Sequence, residues 1–417
     1  MPDQRNIVIL GSSFAGIQSA QYIIKYILPS LNAKSGVKHH LYVISPSPEF
    51  YYMPAAPRTS VSVSRLPVDK LFISLDAIFD KFPKGDFTFI QASASGLDTG
   101  SRTVLYRRGD KAAEEKLAYH ALIIATGTNT HHPAFSSQDS EITKDAIKDM
   151  NSQVSSAKNI VVVGGGATGV ETAAELGEHL NGKPGWFSTP PRKVNITLIT
   201  ASNQLIPQLR PAIGKSAEAT LKNLGVEVRY NTRVTDTRQG DKGQTTLTLS
   251  KGEKIETDLY LPLHGVFPNS SYLPKELLNS SGYVVTNSAT LRVDAAGPRV
   301  YALGDISSVS RNKIADLNDM LPVLHTNLKR DLYAFNPSNP FAPAPGKDRE
   351  FKLMQKEMLG VTLGTSSGVG AVAGWRIPGF IISFLKGRDM MVGMVASALV
   401  DGSRLKESPW KGEEVVA

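Results

Sequence analysis

The stretch Asn159-Ile-Val-Val-Val163-Gly164-Gly-Gly-Ala-Thr-Gly169-Val-Glu171-Thr-Ala-Ala-Glu175-Leu176 reads as strand, turn and helix in immediate succession. The apolar run has the length and β-branched content of a strand buried on both faces, and the spacing after Gly169 suits a helix. Each glycine has its own reason. Gly164 allows a tight turn, Gly166 lets backbone approach a pyrophosphate, and Gly169 lets the helix pack on the strand, which places phosphates at the positive helix end. A second copy stands nearer the amino terminus. There Asn6-Ile-Val-Ile-Leu10 leads into Gly11-Ser-Ser-Phe-Ala-Gly16 and a helical Ile17 onward, with Ser13 in place of the middle glycine. One such loop is weak evidence, because glycine turns are common. Two, each in the required context, predict two dinucleotide sites.

Around these loops the chain divides. His40–Ser45 continues the first unit as its second strand, Phe87–Asp98 and Thr103–Tyr106 alternate like paired strands, and Ala121–Ala125 is a further buried strand ending in Thr126-Gly127. Arg299–Leu303, ending in Gly304-Asp305, reads as a strand that returns to the first unit after the second, so the second is an insertion. Its own elements are Val194–Ile199, a helix over 212–224, Val226–Tyr230, Thr245–Ser250 and Ile255–Pro262. Proline-rich 336–346 marks a last boundary. The expected units are 1–156 with 281–346, 157–280, and a carboxy-terminal 347–417. At 417 residues, two or three domains of roughly 100–200 residues are expected.

Composition excludes several functions. Cys is 0, which removes disulfides, zinc–thiolate sites, iron–sulfur clusters and any CxxC couple. Lys plus Arg (46) exceed Asp plus Glu (38), giving +8, but the basic residues are dispersed, and no nucleic-acid partner is expected. The pairs His39-His40 and His131-His132 lack facing carboxylates, so no metal is assigned. Residues 1–10 lack the core of a signal peptide, Pro2 excludes myristoylation, and no run reaches the ~20 apolar residues of a membrane span. The apolar 375–400 region is interrupted by charge and glycine. It suits lying on a membrane, and the expected location is cytoplasmic or peripheral to an intracellular membrane.

Gly11 to Gly16, Ala125-Thr-Gly127, Gly164 to Glu171 and Tyr301-Ala-Leu-Gly-Asp305, in that order, resemble the pyridine-nucleotide flavin oxidoreductases with two dinucleotide domains. The fold this implies is α/β: two Rossmann-like domains in the glutathione-reductase-like arrangement, the second inserted in the first, plus a small carboxy-terminal unit. Gly169-Val-Glu-Thr-Ala-Ala-Glu175 and Val43-Ile-Ser-Pro46 are similar to type II NADH dehydrogenases. Gly360-Val-Thr-Leu-Gly364, Gly368-Val-Gly370 and Leu385-Lys-Gly-Arg-Asp389 resemble the apoptosis-inducing-factor-like group that includes ferroptosis-suppressor quinone reductases.

The resemblance implies FAD and NAD(P)H as cofactors, and a quinone or a specialised metabolite as electron acceptor; a homodimer is compatible with it. Gly11, Ser13 and Gly16, with Phe14 and Ala15, would cradle the FAD pyrophosphate. Ala125, Thr126 and Gly127 would line the flavin side, and Gly304-Asp305 would meet the ribityl or phosphate region. Ser45 stands where many relatives place an acid on the adenine ribose. Arg58 resembles an arginine near the flavin, or is a surface ion-pair partner. Gly164, Gly166 and Gly169 would hold NAD(P)H, and Glu171 would accept from the nicotinamide carboxamide unless it is a solvated helical carboxylate. Thr200-Ala-Ser202 lacks the acid that repels a 2′-phosphate, and Arg210 would reach such a phosphate; the balance leans to NADH. Lys386 would contact flavin or quinone, or lie as a snorkelling lysine. His325 would donate to a substrate carbonyl, or carry no chemistry. His264 stands where relatives have a small residue or threonine. Without cysteine, the flavin must deliver electrons directly to the acceptor.

Overall fold

Five parallel strands form the first sheet in the order Val300–Ala302, Ala121–Ile124, Arg5–Leu10, His39–Ser45, Phe87–Gln91. The computed structural model describes residues 4–109, 111–185, 191–240, 243–403 and 405–407, so the ends of the expected first and last units lie outside the described residues. Ile7 to Leu10 and Ala121 to Ile124 are fully buried, as continuous apolar runs must be when helices cover both sheet faces. Val300–Ala302 joins this sheet although the second sheet precedes it in sequence, so the second domain is an insertion.

The second sheet is also parallel, in the order Val226–Arg229, Asn195–Ile199, Asn159–Val163, Leu259–Pro262. Two long strands read from the sequence divide in the structure. Ile255–Pro262 breaks at Asp258. Lys254–Thr257 pairs antiparallel with Thr245–Leu249, while Leu259–Pro262 enters the parallel sheet. The Asp258 carboxylate accepts from the backbone N–H groups of Lys158 (2.9 Å) and Asn159 (2.8 Å), which fixes the crossing and holds its pKa below the usual carboxylate value. Phe87–Asp98 likewise breaks at Ala92, after which Ser93–Asp98 forms a hairpin with Thr103–Arg107. Alternation of apolar residues continues across both breaks, so periodicity alone does not reveal them.

Domain edges also differ from those expected. Leu273 and Leu277 pack in the core beneath the first sheet, so the chain has returned to the first domain before residue 280. Beyond the proline-rich segment, Asp348 still bonds Arg292 and Arg330, and Phe351 N–H donates to Ala289 C=O at 2.7 Å. The tail proper is a meander of Leu359–Thr362, Gly368–Val372 and Trp375–Ile377, covered by the helix Gly379–Lys386. A Cβ on Gly368 would stand 2.5 Å from Ile382 Cγ2, so glycine is what lets this helix lie on the sheet. The last helix, Val392–Asp401, straps the tail to the first domain, where Gln21 Nε2 donates to Leu399 C=O (2.8 Å) and Tyr52 OH to Met390 C=O (3.1 Å). One continuous apolar core runs through both dinucleotide domains and the tail.

Candidate active site

The carboxyl ends of the first sheet's strands open into a cavity of about 950 Å³, the position where open α/β sheets take their ligands. Gly11, Ser13, Phe14, Ala15, Ser45, Ala125, Thr126, Gly127, Gly304 and Asp305 all line it. Gly16 lies beneath: a Cβ there would sit 1.9 Å from Gly11 C=O. Gly11, at φ +106°, leaves no room either, since its Cβ would meet Ala125 C=O at 2.3 Å.

The second loop repeats this geometry. Gly164, at φ +137°, would press a Cβ to 2.2 Å from Leu263 C=O, and Gly169 would press one to 1.9 Å from Gly164 C=O. The middle position differs in kind. Gly166 (φ −75°, ψ −178°) and Ser13 (φ −88°, ψ −164°) share an extended backbone that any residue adopts, and Gly166 faces open space. Ser13 therefore carries no strain. Neither following helix has a side-chain cap or an acid in its first turn, which leaves the first N–H groups for an anionic ligand. The residues present fit FAD at the first loop and NAD(P)H at the second.

Electrostatics grade the first cavity. Burial, and then the charge of Asp316, push the Asp305 carboxyl up to about 6, opposed by a 3.5 Å hydrogen bond from Ser310 Oγ. At the other end Ser12 Oγ donates to Ser45 Oγ at 2.8 Å. Glu49 also lines the cavity, and Lys144 Nζ holds its Oε2 at 2.5 Å. Thr126 Oγ1 donates to Asn269 C=O and Asn269 Nδ2 donates to Thr126 C=O, both at 2.9 Å, closing the Ala125-Thr-Gly turn against chain that returns from the second domain.

Glu171 and Lys386 meet. Lys386 Nζ donates to Glu171 Oε1 at 3.1 Å and to Gly360 C=O at 2.9 Å, so the lysine reaches inward to the helix of the second loop. Glu171 is buried, not solvated. Arg58 does not line the cavity. Its fully buried guanidinium bonds Glu175 Oε1 (2.9 and 2.7 Å), Gly387 C=O (2.6 Å) and Gly364 C=O (3.2 Å), tying both dinucleotide domains to the tail. A flavin contact for Arg58 is therefore corrected to a structural clamp, because each of its three nitrogens is bonded to these partners and none lines the cavity.

His325 is also corrected. It lies in the core, stacked on Tyr22 with ring centroids 3.7 Å apart and planes at 8°, and burial lowers its pKa to about 3. The helix Ile314–Tyr333 turns this face onto the first helix, away from the cavity. Arg210, which the sequence offers to a 2′-phosphate, is paired in the structure with Glu357 at 2.6 and 2.9 Å and with the Gly374 carbonyl. Exposed His264 stacks on His131 (4.9 Å) across the two domains, and partial burial with that neighbour lowers its pKa.

Sequence reasoning missed the partners that surround Glu171. Glu171, Glu175 and Glu178 recur at i, i+4 and i+7, one helix face, and that spacing is the signal available. Thr362 donates to Glu171 through both N–H and Oγ1, Arg65 reaches Glu175 and Glu178 at 3.2 Å, and Thr365 donates to Glu178 at 2.9 and 2.8 Å. Nothing local marks these threonines.

Known proteins place this geometry. The family model of the pyridine nucleotide-disulphide oxidoreductases matches residues 5–320. The oxidoreductase phnG of Penicillium herquei is 39% identical over 93% of this chain and 94% of its own. Ferroptosis suppressor protein 1 of Mus musculus is 26% identical over 93% of this chain and 94% of its own. Among solved structures, NDH2 of Plasmodium falciparum in complex with NADH superposes over 100% of both chains at a TM-score of 0.65 and 17% identity, a likeness of fold. The chain belongs to the pyridine nucleotide-disulphide oxidoreductase family, as an FAD- and NAD(P)H-dependent oxidoreductase with two dinucleotide domains and no cysteine.

Proposed function

We propose that the protein catalyses reduction of a quinone-like organic acceptor by NAD(P)H, without a protein thiol in between. The absence of cysteine from the whole sequence carries this reading, since no side chain is present to store an electron pair as a disulfide. FAD, when bound, supplies the two-electron chemistry. The chain's residues bind and orient. The first N–H groups of the two helices hold pyrophosphates, and Asp305 offers an acceptor to the ribityl or phosphate region of FAD. Glu171 keeps Oε2 free to accept from a carboxamide N–H, while Lys386 brings a cation into the same cluster, where it would favour an anionic product. An acceptor that is a particular specialised metabolite is the second reading, kept beside the first because the chain is more similar to phnG, named only as an oxidoreductase (39%), than to ferroptosis suppressor protein 1 (26%).

Anaerobic stopped-flow measurement tests both. The yellow protein should be bleached by NADH or NADPH, and re-oxidised faster by short-chain quinones than by oxygen. Failure to bleach with either nucleotide sinks the proposal; bleaching followed by indifference to every quinone transfers it to the second reading.

We further propose that the tail meets a membrane surface from outside. Trp375, Phe380 and Phe384 are 79%, 72% and 86% exposed, and the sequence from Met358 to Arg388 holds no Asp or Glu. No helix among the described residues is long and apolar enough to cross a membrane.

A further inference from the structure

Glu171 is held from one side. Its Oε1 accepts three hydrogen bonds, from Thr362 N–H (2.9 Å), Thr362 Oγ1 (3.1 Å) and Lys386 Nζ (3.1 Å). Among the described residues its Oε2 has no partner, and it is not sealed from the surface. A carboxylate with one oxygen saturated and the other open is an acceptor aimed in one direction. All three donors belong to the tail, on the Leu359–Thr362 strand and at the end of the Gly379–Lys386 helix.

Thr362 dominates this arrangement, since it gives two of the three bonds from a fully buried position. Its hydroxyl also lies 3.4 Å from Met390 Sδ, but a hydroxyl has one proton, and a charged oxygen outcompetes a thioether for it. The backbone around it is fixed. Gly364, at φ +72°, follows two residues on, and a Cβ there would stand 2.1 Å from Glu178 Oε2, so the loop lies close against this helix face.

We propose that Thr362 is a positioning residue for the nicotinamide, acting through Glu171. It turns the carboxylate so that Oε2 accepts from the carboxamide N–H of NAD(P)H. The tail thereby completes the nucleotide site of the second domain. The inference rests on the reading of Glu171 as the carboxamide acceptor, and the test separates the two.

The measurement is equilibrium binding by calorimetry to the FAD-loaded full chain, with two oxidised nucleotides. One is NAD⁺; the other is its 3-acetylpyridine analogue, which replaces the amide by a methyl ketone and has no N–H to donate. The parent should prefer NAD⁺ by roughly tenfold, the worth of one hydrogen bond to a charged acceptor. Thr362→Val should shrink that preference at least threefold, while affinity for the analogue changes less than about twofold, and Thr362→Ser should restore it. Glu171→Gln should also abolish it. The three tail donors require an oxygen at the Oε1 place, which turns the amide NH₂ outward against another donor.

If Glu171→Gln keeps the preference, the reading of Glu171 fails, and the inference with it. If Glu171→Gln loses it but Thr362→Val does not, Thr362 alone is overturned. Equal weakening of both nucleotides by Thr362→Val, or failure of Thr362→Ser to rescue, would mark a merely structural threonine and overturn the inference as well.

Discussion

Asp305 holds a carboxyl where burial and the neighbouring Asp316 disfavour its charge, raising its pKa from 3.8 to about 6. A raised acid binds a proton more readily in the folded state than in the unfolded one. Stability therefore falls as pH rises from about 4 to 6, and above that window the full cost, about 3 kcal/mol, is present. Without bound FAD, Asp305→Asn should melt several degrees above the parent at pH 7.5 and no higher at pH 4, while retaining FAD less well. A melting difference independent of pH would defeat this account. His325 shows the opposite sign. Its depressed pKa contributes stability above pH 6.5 that is lost as pH falls toward about 3. Both residues were singled out in the sequence, but only Asp305 faces the cavity. The motif before Asp305 fixes its place at a strand end, whereas His325 sits on a helix whose buried face depends on what packs against it.

The two glycine loops allow a comparison within one chain. The third glycine of each touches the first glycine's carbonyl, at a would-be Cβ distance of 1.9 Å in both cases, whereas the middle position of the second loop is open. Gly169→Ala should therefore destabilise by about 1–3 kcal/mol through overpacking and weaken NAD(P)H binding, with FAD still held. Gly166→Ser, which copies Ser13, should leave the melting temperature within about 2 °C and act on nucleotide affinity alone. Thermal melts and nucleotide titrations check the pair; an unchanged Gly169→Ala protein would refute the steric reading. The helix that follows presents Glu171, Glu175 and Glu178 on one face. Their spacing is written in the sequence, but a helix with three acids on one face reads equally well as solvated. Only the tail laid across it, with Arg58 and Arg65, makes that face an interior one.

At the scale of the molecule, the tail joins both domains, with its loop at 362–365 on the second and its last helix on the first. Its outer face is apolar and basic. Phe380→Ser combined with Phe384→Ser should reduce co-sedimentation with vesicles of phosphatidylcholine and phosphatidylserine several-fold, while reduction of a short soluble acceptor stays within about twofold. A parent protein that remains in the supernatant, or a double variant that sediments equally, would remove the membrane assignment. The same joining explains Arg58. A guanidinium buried among Glu175 and two tail carbonyls is costly to leave half-paired, so its place follows from three units closing together.

The sequence by itself determined both nucleotide loops, the insertion of one domain in the other, and the absence of any thiol that could relay electrons. These follow from requirements met within a few residues, or from an amino acid that is absent everywhere. A glycine demanded by φ +106°, or by the carbonyl of its own loop's first glycine 1.9 Å away, is a local demand, visible as a glycine. The tertiary structure alone decided that Glu171 meets Lys386 and Thr362, that Arg58 clamps rather than lines, and that Arg210 is occupied. Those outcomes depend on which distant donor reaches a buried charge first, and contacts between residues more than a hundred positions apart leave no period or spacing in the chain.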